Sequence, residues 1–332
     1  MESVRRNNGR ITIFLVNGLG DQLLALPAIR ALRALFPENV QIILGQGLYP
    51  ELFYECWDPC VYRTVWWKDR LSRVLDVQRT LEGAQPCDLF ISLSTWVNDS
   101  IIELASGLGA KRTVGLFDQF DEKVSAPRFH MFDRLFSLPK HFDKTLLFGN
   151  FCYPPVLPPA ALGRAIRFVS QDGIHECPTL FVHPETDSSK TWEWNNFRRV
   201  IQVLLAARPD LFGMVSSLHP LDLEGFDDRV VGLGTDYITT LSILKYCDFF
   251  LGIDSCFLHA ADLFRVPGVA LFGPTTPDEW GFHLCSESKS LTARNMESIH
   301  ADKVLQMLLD VIDVPPKKGG VRERRNGLST RV

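Results

Sequence analysis

Short unbroken apolar runs recur along this chain, each followed by a turn of small or polar residues and then by apolar residues at helical spacing. A run that is apolar at every position suits a strand buried on both faces, and strands alternating with helices pair in parallel. Ile11–Asn17 is the first such run. Gly18-Leu19-Gly20 turns the chain, and a helix opens at Asp21 with Leu23, Leu24, Ile29, Leu32, Leu35 and Phe36 on one side. Pro27 is expected to kink that helix early. Val40–Leu44, Asp88–Leu93 and Arg112–Leu116 read as further strands, and Ile101–Leu108 as a short helix. Trp66-Trp67-Lys68-Asp69-Arg70 reads as the start of a surface helix.

The pattern breaks at Tyr153-Pro154-Pro155-Val156-Leu157-Pro158-Pro159, which is too proline-rich for helix or central strand. It then restarts. Thr179–His183, Leu211–Ser216, Arg229–Leu233, Asp248–Ile253 and Gly268–Phe272 are expected strands. Helices are expected from Asn195 to Arg208, Leu241 to Tyr246, Asp254 to Phe264 and Ala301 to Ile312. A chain of 332 residues is natural for two domains. The reading is α/β: a first domain over 1–155, a linker over 156–170, a second domain over 171–315, and a basic, disordered tail over 316–332.

Composition excludes several classes. A net charge of −4 gives no global basic field for nucleic acid. No apolar run approaches the roughly 20 residues of a transmembrane helix, and Met1–Arg10 is polar with no signal-peptide core after it. A cytoplasmic protein is therefore expected. The eight cysteines are irregularly spaced, with Cys56 and Cys60 the nearest pair and Pro59 between them; reduced, buried thiols are expected at all of them except Cys256.

In open α/β sheets ligands sit beyond the carboxyl ends of the strands, so chemistry is sought at strand-to-helix turns. At the first, Gly18 and Gly20 allow close backbone approach, but Leu23 stands where a dinucleotide fingerprint needs its last glycine, and no Gly-Lys-Ser/Thr follows. Asp21 is left at the mouth of the turn. It reads either as a helix N-cap or as a general base facing a cleft between the domains, kept ionised by the helix dipole. The second turn, His183 to Trp192, carries Lys190, a flexible cation suited to a diphosphate, with Thr186, Ser188 and Ser189 as hydroxyl donors. A solvated loop lysine is the plainer alternative, and Trp192 and Trp194 read as packing residues. The third turn, Gly252-Ile253-Asp254-Ser255-Cys256, leads a strand into a helix and is a seat for pyrophosphate, with free amides and a favourable dipole. His259 either reaches back to phosphate or is a satisfied core histidine. Thr275, in the loop Phe272–Pro277, either lines the same cleft or belongs to a plain turn.

Taken in order, four stretches resemble glycosyltransferase family 9, the heptosyltransferases of lipopolysaccharide biosynthesis. They are Gly20-Asp21-Gln22-Leu23-Leu24-Ala25-Leu26-Pro27-Ala28-Ile29-Arg30-Ala31-Leu32-Arg33; Lys190-Thr191-Trp192; Asp254-Ser255 with His259-Ala260-Ala261; and Leu271-Phe272-Gly273-Pro274-Thr275. The resemblance implies a GT-B fold of two Rossmann-like domains and an inverting, metal-independent transfer of a sugar from a nucleotide sugar, usually ADP-heptose. No cofactor is implied. Asp21 would be the base on the acceptor hydroxyl, with Gly18 and Gly20 as acceptor-side backbone. Thr186, Ser188, Lys190, Asp254, Ser255, His259 and Thr275 would hold the donor. The acceptor would be a carbohydrate or glycolipid, and Trp66–Arg70 could touch a membrane that carries it. Cys256 and Glu185 stand where the family usually has glycine, and no acidic residue for the ribose is assignable, Asp222 and Glu224 being the nearest choices. These departures mark a divergent member. The same architecture would also serve a nucleotide-sugar 2-epimerase-like enzyme, for which His130, His141 and His183 offer acid–base groups, or a non-catalytic nucleotide-sugar-binding protein.

Overall fold

The computed structural model describes residues 9–45, 49, 52, 62–127, 129–171, 174–217, 219 and 221–314. Cys56, Cys60 and the tail 316–332 lie outside them. The chain divides into two compact units, Met1–Val156 and Leu157–Val332.

The first unit runs β1 (Ile11–Leu15), α1 (Leu19–Leu35), β2 (Val40–Leu44), β3 (Tyr62–Thr64), β4 (Trp67–Asp69), β5 (Val74–Leu75), α2 (Val77–Gly83), β6 (Leu89–Ser92), α3 (Asp99–Gly107), β7 (Arg112–Gly115), β8 (Glu122–Lys123) and α4 (Met131–Phe142). Its main sheet has the order β3-β2-β1-β6-β7-β8, and every pairing in it is parallel. Ile11–Leu15 and Val40–Leu44 are buried at every residue, as strands covered on both faces must be. One side of the sheet packs Phe14, Ile43 and Phe90 against Ile101 and Leu104 of α3. Trp66–Arg70 is not a helix start: β4 and β5 form an antiparallel hairpin. Two tryptophans favour strand over helix there.

The second unit runs α5 (Pro159–Val169), β9 (Thr179–His183), α6 (Trp194–Ala207), β10 (Phe212–Ser216), β11 (Val230–Leu233), α7 (Tyr237–Leu244), β12 (Phe249–Ile253), α8 (Cys256–Phe264), β13 (Gly268–Phe272), α9 (Pro277–Trp280), β14 (Lys289–Thr292) and α10 (Ala301–Ile312). Its sheet, β11-β10-β9-β12-β13-β14, is again parallel throughout. Trp192 is a core residue, as its neighbours predict, and donates its indole N–H to the Ile299 carbonyl at 3.2 Å. Helix α7 begins earlier than expected because the Asp236 carboxylate caps it, accepting from the Thr239 amide at 3.0 Å.

The span 156–170 is not a free linker. Arg30, buried on α1, donates to the carbonyls of Phe151, Tyr153 and Pro154 at 3.1, 2.5 and 3.2 Å and lies 3.6 Å over the Tyr153 ring. The proline-rich run thus starts as part of the first unit. Pro159 then opens α5, at the helix position where a missing N–H costs nothing, and α5 packs on α7.

In each sheet the chain leaves the central pair in opposite directions. The switch points lie between β1 and β6 and between β9 and β12, and the loops at the carboxyl ends of those strands are where a ligand is expected.

Candidate functional site

At the first switch point, Asp21 is the third residue of α1 and Gly18 is its cap. The Asp21 Oδ2 accepts the Gly18 N–H at 3.1 Å, the returning half of a capping box. Asp21 is therefore not the cap itself, and its side chain stays partly exposed. Gly18 is exposed and Gly20 partly so. A Cβ at Gly18 would meet Asp21 at an ordinary 3.6 Å, so space does not demand glycine there. Across from this turn, the loop after β6 brings up Thr95. Its amide donates to Asn17 Oδ1 at 3.3 Å, and Asn17 Nδ2 donates back to its hydroxyl. Next to it, the Ser94 hydroxyl is fully buried with no hydrogen-bond partner. Sequence reasoning missed Ser94 and Thr95. The signal was there: small hydroxyl residues end an apolar run at the carboxyl edge of the sheet.

At the second switch point the predicted donor residues converge. Lys190 closes a single 3-10 turn, Ser188–Lys190, capped by Asp187, whose Oδ1 accepts from the Ser189 amide at 3.0 Å and hydroxyl at 2.7 Å. The Lys190 ammonium lies 2.7 Å from Asp254 Oδ2, and the Thr275 hydroxyl donates to the same oxygen at 2.8 Å. Lys190 is 29% exposed and Asp254 4%. A carboxylate in that position cannot receive a phosphate; it holds the ammonium and the hydroxyl in place. Asp254 is thus a positioning residue and not itself a donor contact. Thr186 and Ser188 are solvent-exposed on the turn that leads into Lys190.

Helix α8 starts beside this pair. Ser255 occupies its N-cap without capping it, and the Ser255 hydroxyl is buried with no partner. One turn on, His259 is buried and its Nδ1 also lacks a partner. Burial, reinforced by Lys190 and opposed by Asp254, pushes the His259 pKa down to about 4, so the ring is neutral near pH 7. Native proteins rarely bury polar atoms unsatisfied, and two of them at one helix start are an arrangement that can receive an anion. Cys256 fills the family's glycine position, and its thiol is pushed up to about 12 by burial. It stays protonated and adds no negative charge to the cradle.

The other titratable candidates have structural work. The His183 ring meets the Ser216 carbonyl through Nδ1 at 3.0 Å, lies tilted with its centroid 4.6 Å from that of Phe257, and burial holds its pKa down to about 4. His130 accepts the Phe132 amide at the start of α4 at 3.2 Å, and His141 pairs with Glu122 at 2.8 Å. These three therefore do not form one acid–base group. Asp222 pairs with Arg198 at 3.3 Å and accepts the Glu224 amide at 2.9 Å. Cys87, Cys152, Cys247 and Cys285 are buried, Cys177 and Cys256 are partly buried, and none of these six is in a disulfide. Among the described residues no cluster of three or more His, Cys, Asp or Glu is placed to hold a metal ion, and no helix is long and apolar enough to cross a membrane.

No known family profile matches the chain, and no curated protein matches it in sequence. Solved structures do. A glycosyl transferase family 9 protein from Veillonella parvula DSM 2008 superposes with a TM-score of 0.69 at 17% identity, over 92% of this chain and 97% of that one. E. coli ADP-heptose lps heptosyltransferase II gives 0.64 at 14%, over 91% and 98%. E. coli heptosyltransferase WaaC with ADP gives 0.61 at 18%, over 90% and 96%. Identities this low carry the fold and leave the chemistry to be argued from the residues. The chain has the two-sheet GT-B fold of these family 9 glycosyltransferase structures.

Proposed function

We propose that the protein is an inverting glycosyltransferase that needs no metal ion and moves a sugar from a nucleoside diphosphate donor to an acceptor hydroxyl. The observation that carries this reading is the cradle at α8, where the unsatisfied Ser255 hydroxyl and His259 Nδ1 stand beside the Lys190 ammonium. Lys190 has three N–H donors, and Asp254 occupies one. The others, with the amides at the helix start, take up the charge that develops on the leaving diphosphate, a role a divalent cation fills elsewhere. In this reading Asp21 accepts the proton of the acceptor hydroxyl. The freed oxygen pair attacks the anomeric carbon, the bond to the diphosphate oxygen breaks with inversion, and the nucleoside diphosphate leaves from the cradle. Fixing both reactants supplies much of the acceleration, so a modest base suffices.

ADP-heptose is the donor this reading favours. The four sequence stretches resemble heptosyltransferases, and among the solved structures of this fold one is described with ADP and another as ADP-heptose dependent. The acceptor is a carbohydrate or glycolipid, handled in the cytoplasm. Lipopolysaccharide core is the family's usual product, and Cys256 and Glu185 are the places where this chain has parted from it.

Thermal unfolding with ADP, UDP and GDP tests the donor half, since a ligand of the folded state raises its stability. ADP is expected to give the largest shift, and Ser255→Ala to reduce it. Hydrolysis or transfer assays with ADP-heptose test the whole. No stabilisation by any nucleoside diphosphate would remove the donor assignment, and turnover that survives loss of the Asp21 carboxylate would remove the base.

A further inference from the structure

The β4–β5 hairpin has no part in the reaction above, yet it is shaped for contact. Its tip places Leu71 in solvent, 97% exposed. A lone exposed leucine is ordinary, but this one stands at the apex of a cationic turn. Lys68, Arg70 and Arg73 surround it, all exposed, with Asp69 the one acid. That acid is exposed as well, and it is tied into the turn. Hydrogen bonds from Ser72 and from the Leu71 amide hold its carboxyl below the usual range, and its Oδ1 accepts the Leu71 and Ser72 amides at 2.9 and 3.3 Å. The protein as a whole carries −4, so the positive field is local to this tip.

The turn is also fixed in place. Arg73 adopts a left-handed backbone, φ 55°, its carbonyl accepts Asn98 Nδ2 at 2.8 Å, and its guanidinium lies 5.3 Å over the Trp96 ring. Trp67 packs 6.2 Å from Trp96, and Arg79 covers Trp66 at 3.5 Å. Trp96 follows Thr95, which is bonded to Asn17. The hairpin therefore borders the same edge of the first sheet on which Gly18 and Asp21 stand.

An apolar tip, a ring of Lys and Arg behind it and tryptophans behind those is the layering of an interfacial segment. The leucine enters the acyl boundary and the cations meet headgroup phosphates, while Trp67 and Trp96, packed against the core of the first unit, hold the hairpin in place. We propose that this hairpin rests the first unit on an anionic lipid surface. A nucleic acid would call for a longer stripe of cations than one tip provides. The contact is independent of the proposed chemistry. If Asp21 is the base, the two together imply an amphiphilic acceptor whose sugar emerges at the membrane surface.

Flotation of the full-length protein with vesicles tests this. Binding is expected to phosphatidylcholine vesicles containing phosphatidylglycerol, to be weak on phosphatidylcholine alone, and to fall as salt shortens the range of the attraction. Lys68→Glu with Arg70→Glu should weaken partition by about 30-fold or more, and Leu71→Asp by about tenfold. Leu71→Trp should strengthen it, a gain that a misfolded variant would not show. All three variants are altered at an exposed tip, so melting temperatures should match the parent. Equal binding to both vesicle types, no binding to either, or well-folded variants that float like the parent would each overturn the proposal.

Discussion

At the carboxyl ends of β1 and β6 the first unit offers amide and hydroxyl groups and one carboxylate: Asn17, Thr95, Ser94 and Asp21. At the ends of β9 and β12 the second offers an ammonium, a neutral buried imidazole, an unsatisfied hydroxyl and the start of a helix. The strand orders are the same, so topology does not distinguish the two places; only the side chains do. One suits a neutral, hydroxyl-bearing molecule that is to lose a proton. The other suits an anion that is to gain charge. A transferase needs both, and a binding protein needs only the second.

The comparison breaks most sharply at Asp21. Asp21→Ala is expected to lower kcat about 10³-fold, within the range general bases supply, with ADP affinity unchanged in calorimetry. Asp21→Asn discriminates further, because an amide oxygen still accepts the Gly18 N–H but cannot take a proton. It should keep the melting temperature and lose the turnover. An active Asn variant would reduce Asp21 to a helix-capping residue and leave the first unit without chemistry.

Lys190→Ala comes next, with an expected loss of about 10²-fold in kcat/KM for the donor. It also strands the buried Asp254 carboxylate, held then only by Thr275, which should cost about 1–2 kcal/mol, reduced from the buried-pair figure because Lys190 is partly exposed. Adding Asp254→Asn relieves the stranded charge. The double variant should therefore regain stability and not turnover. If stability falls while donor kinetics hold, the ion pair is structural and the cradle loses its cation.

What could be read in the sequence follows from these same physical causes. The doubly buried strands announce themselves as apolar runs, and polar turns follow them in order, so the placing of Lys190, Ser255, His259 and Thr275 at the carboxyl ends of strands was legible. The role of Asp254 was not, since a carboxylate near phosphates looks like a ligand until its partner, 64 residues away, is seen on it. The Asn17–Thr95 pair spans 78 residues and leaves no local trace. Helix α5 was hidden because prolines that open a helix look like prolines that forbid one, and α4 because it holds Pro139. The β4–β5 hairpin was lost because its strands are two and three residues long, shorter than any period can register.

Acid should separate the two units. His183 and His259 both lie in the second, and burial lowers each from 6.5 to about 4. The unfolded chain therefore binds protons that the folded one refuses. Their contribution is complete above pH 6.5 and is lost as pH falls through 4. At pH 5 the loss is about 2 kcal/mol for each histidine. Urea unfolding at pH 7 and pH 5 should show the second unit weakening first, and His259→Gln should flatten about half of that dependence. Unchanged midpoints would mean that one or both rings find a partner on protonation, which would weaken the case that the His259 Nδ1 awaits a ligand.

The smallest effect should come from Cys256→Gly, and it bears on whether the second unit's departures from the family alter chemistry or only shape. The thiol is protonated, so its removal changes no charge near the phosphates. Glycine in the first turn of α8 loosens the backbone, costing up to about 1 kcal/mol, and opens space beside Ser255. The expected result is a donor KM changed a few-fold, kcat within about twofold of the parent, and a slightly lower melting temperature. A switch in nucleotide preference would instead make Cys256 a determinant of donor choice. Donor selection would then lie at the start of α8 itself, and the second unit's cradle would be a specificity device as well as a seat for charge.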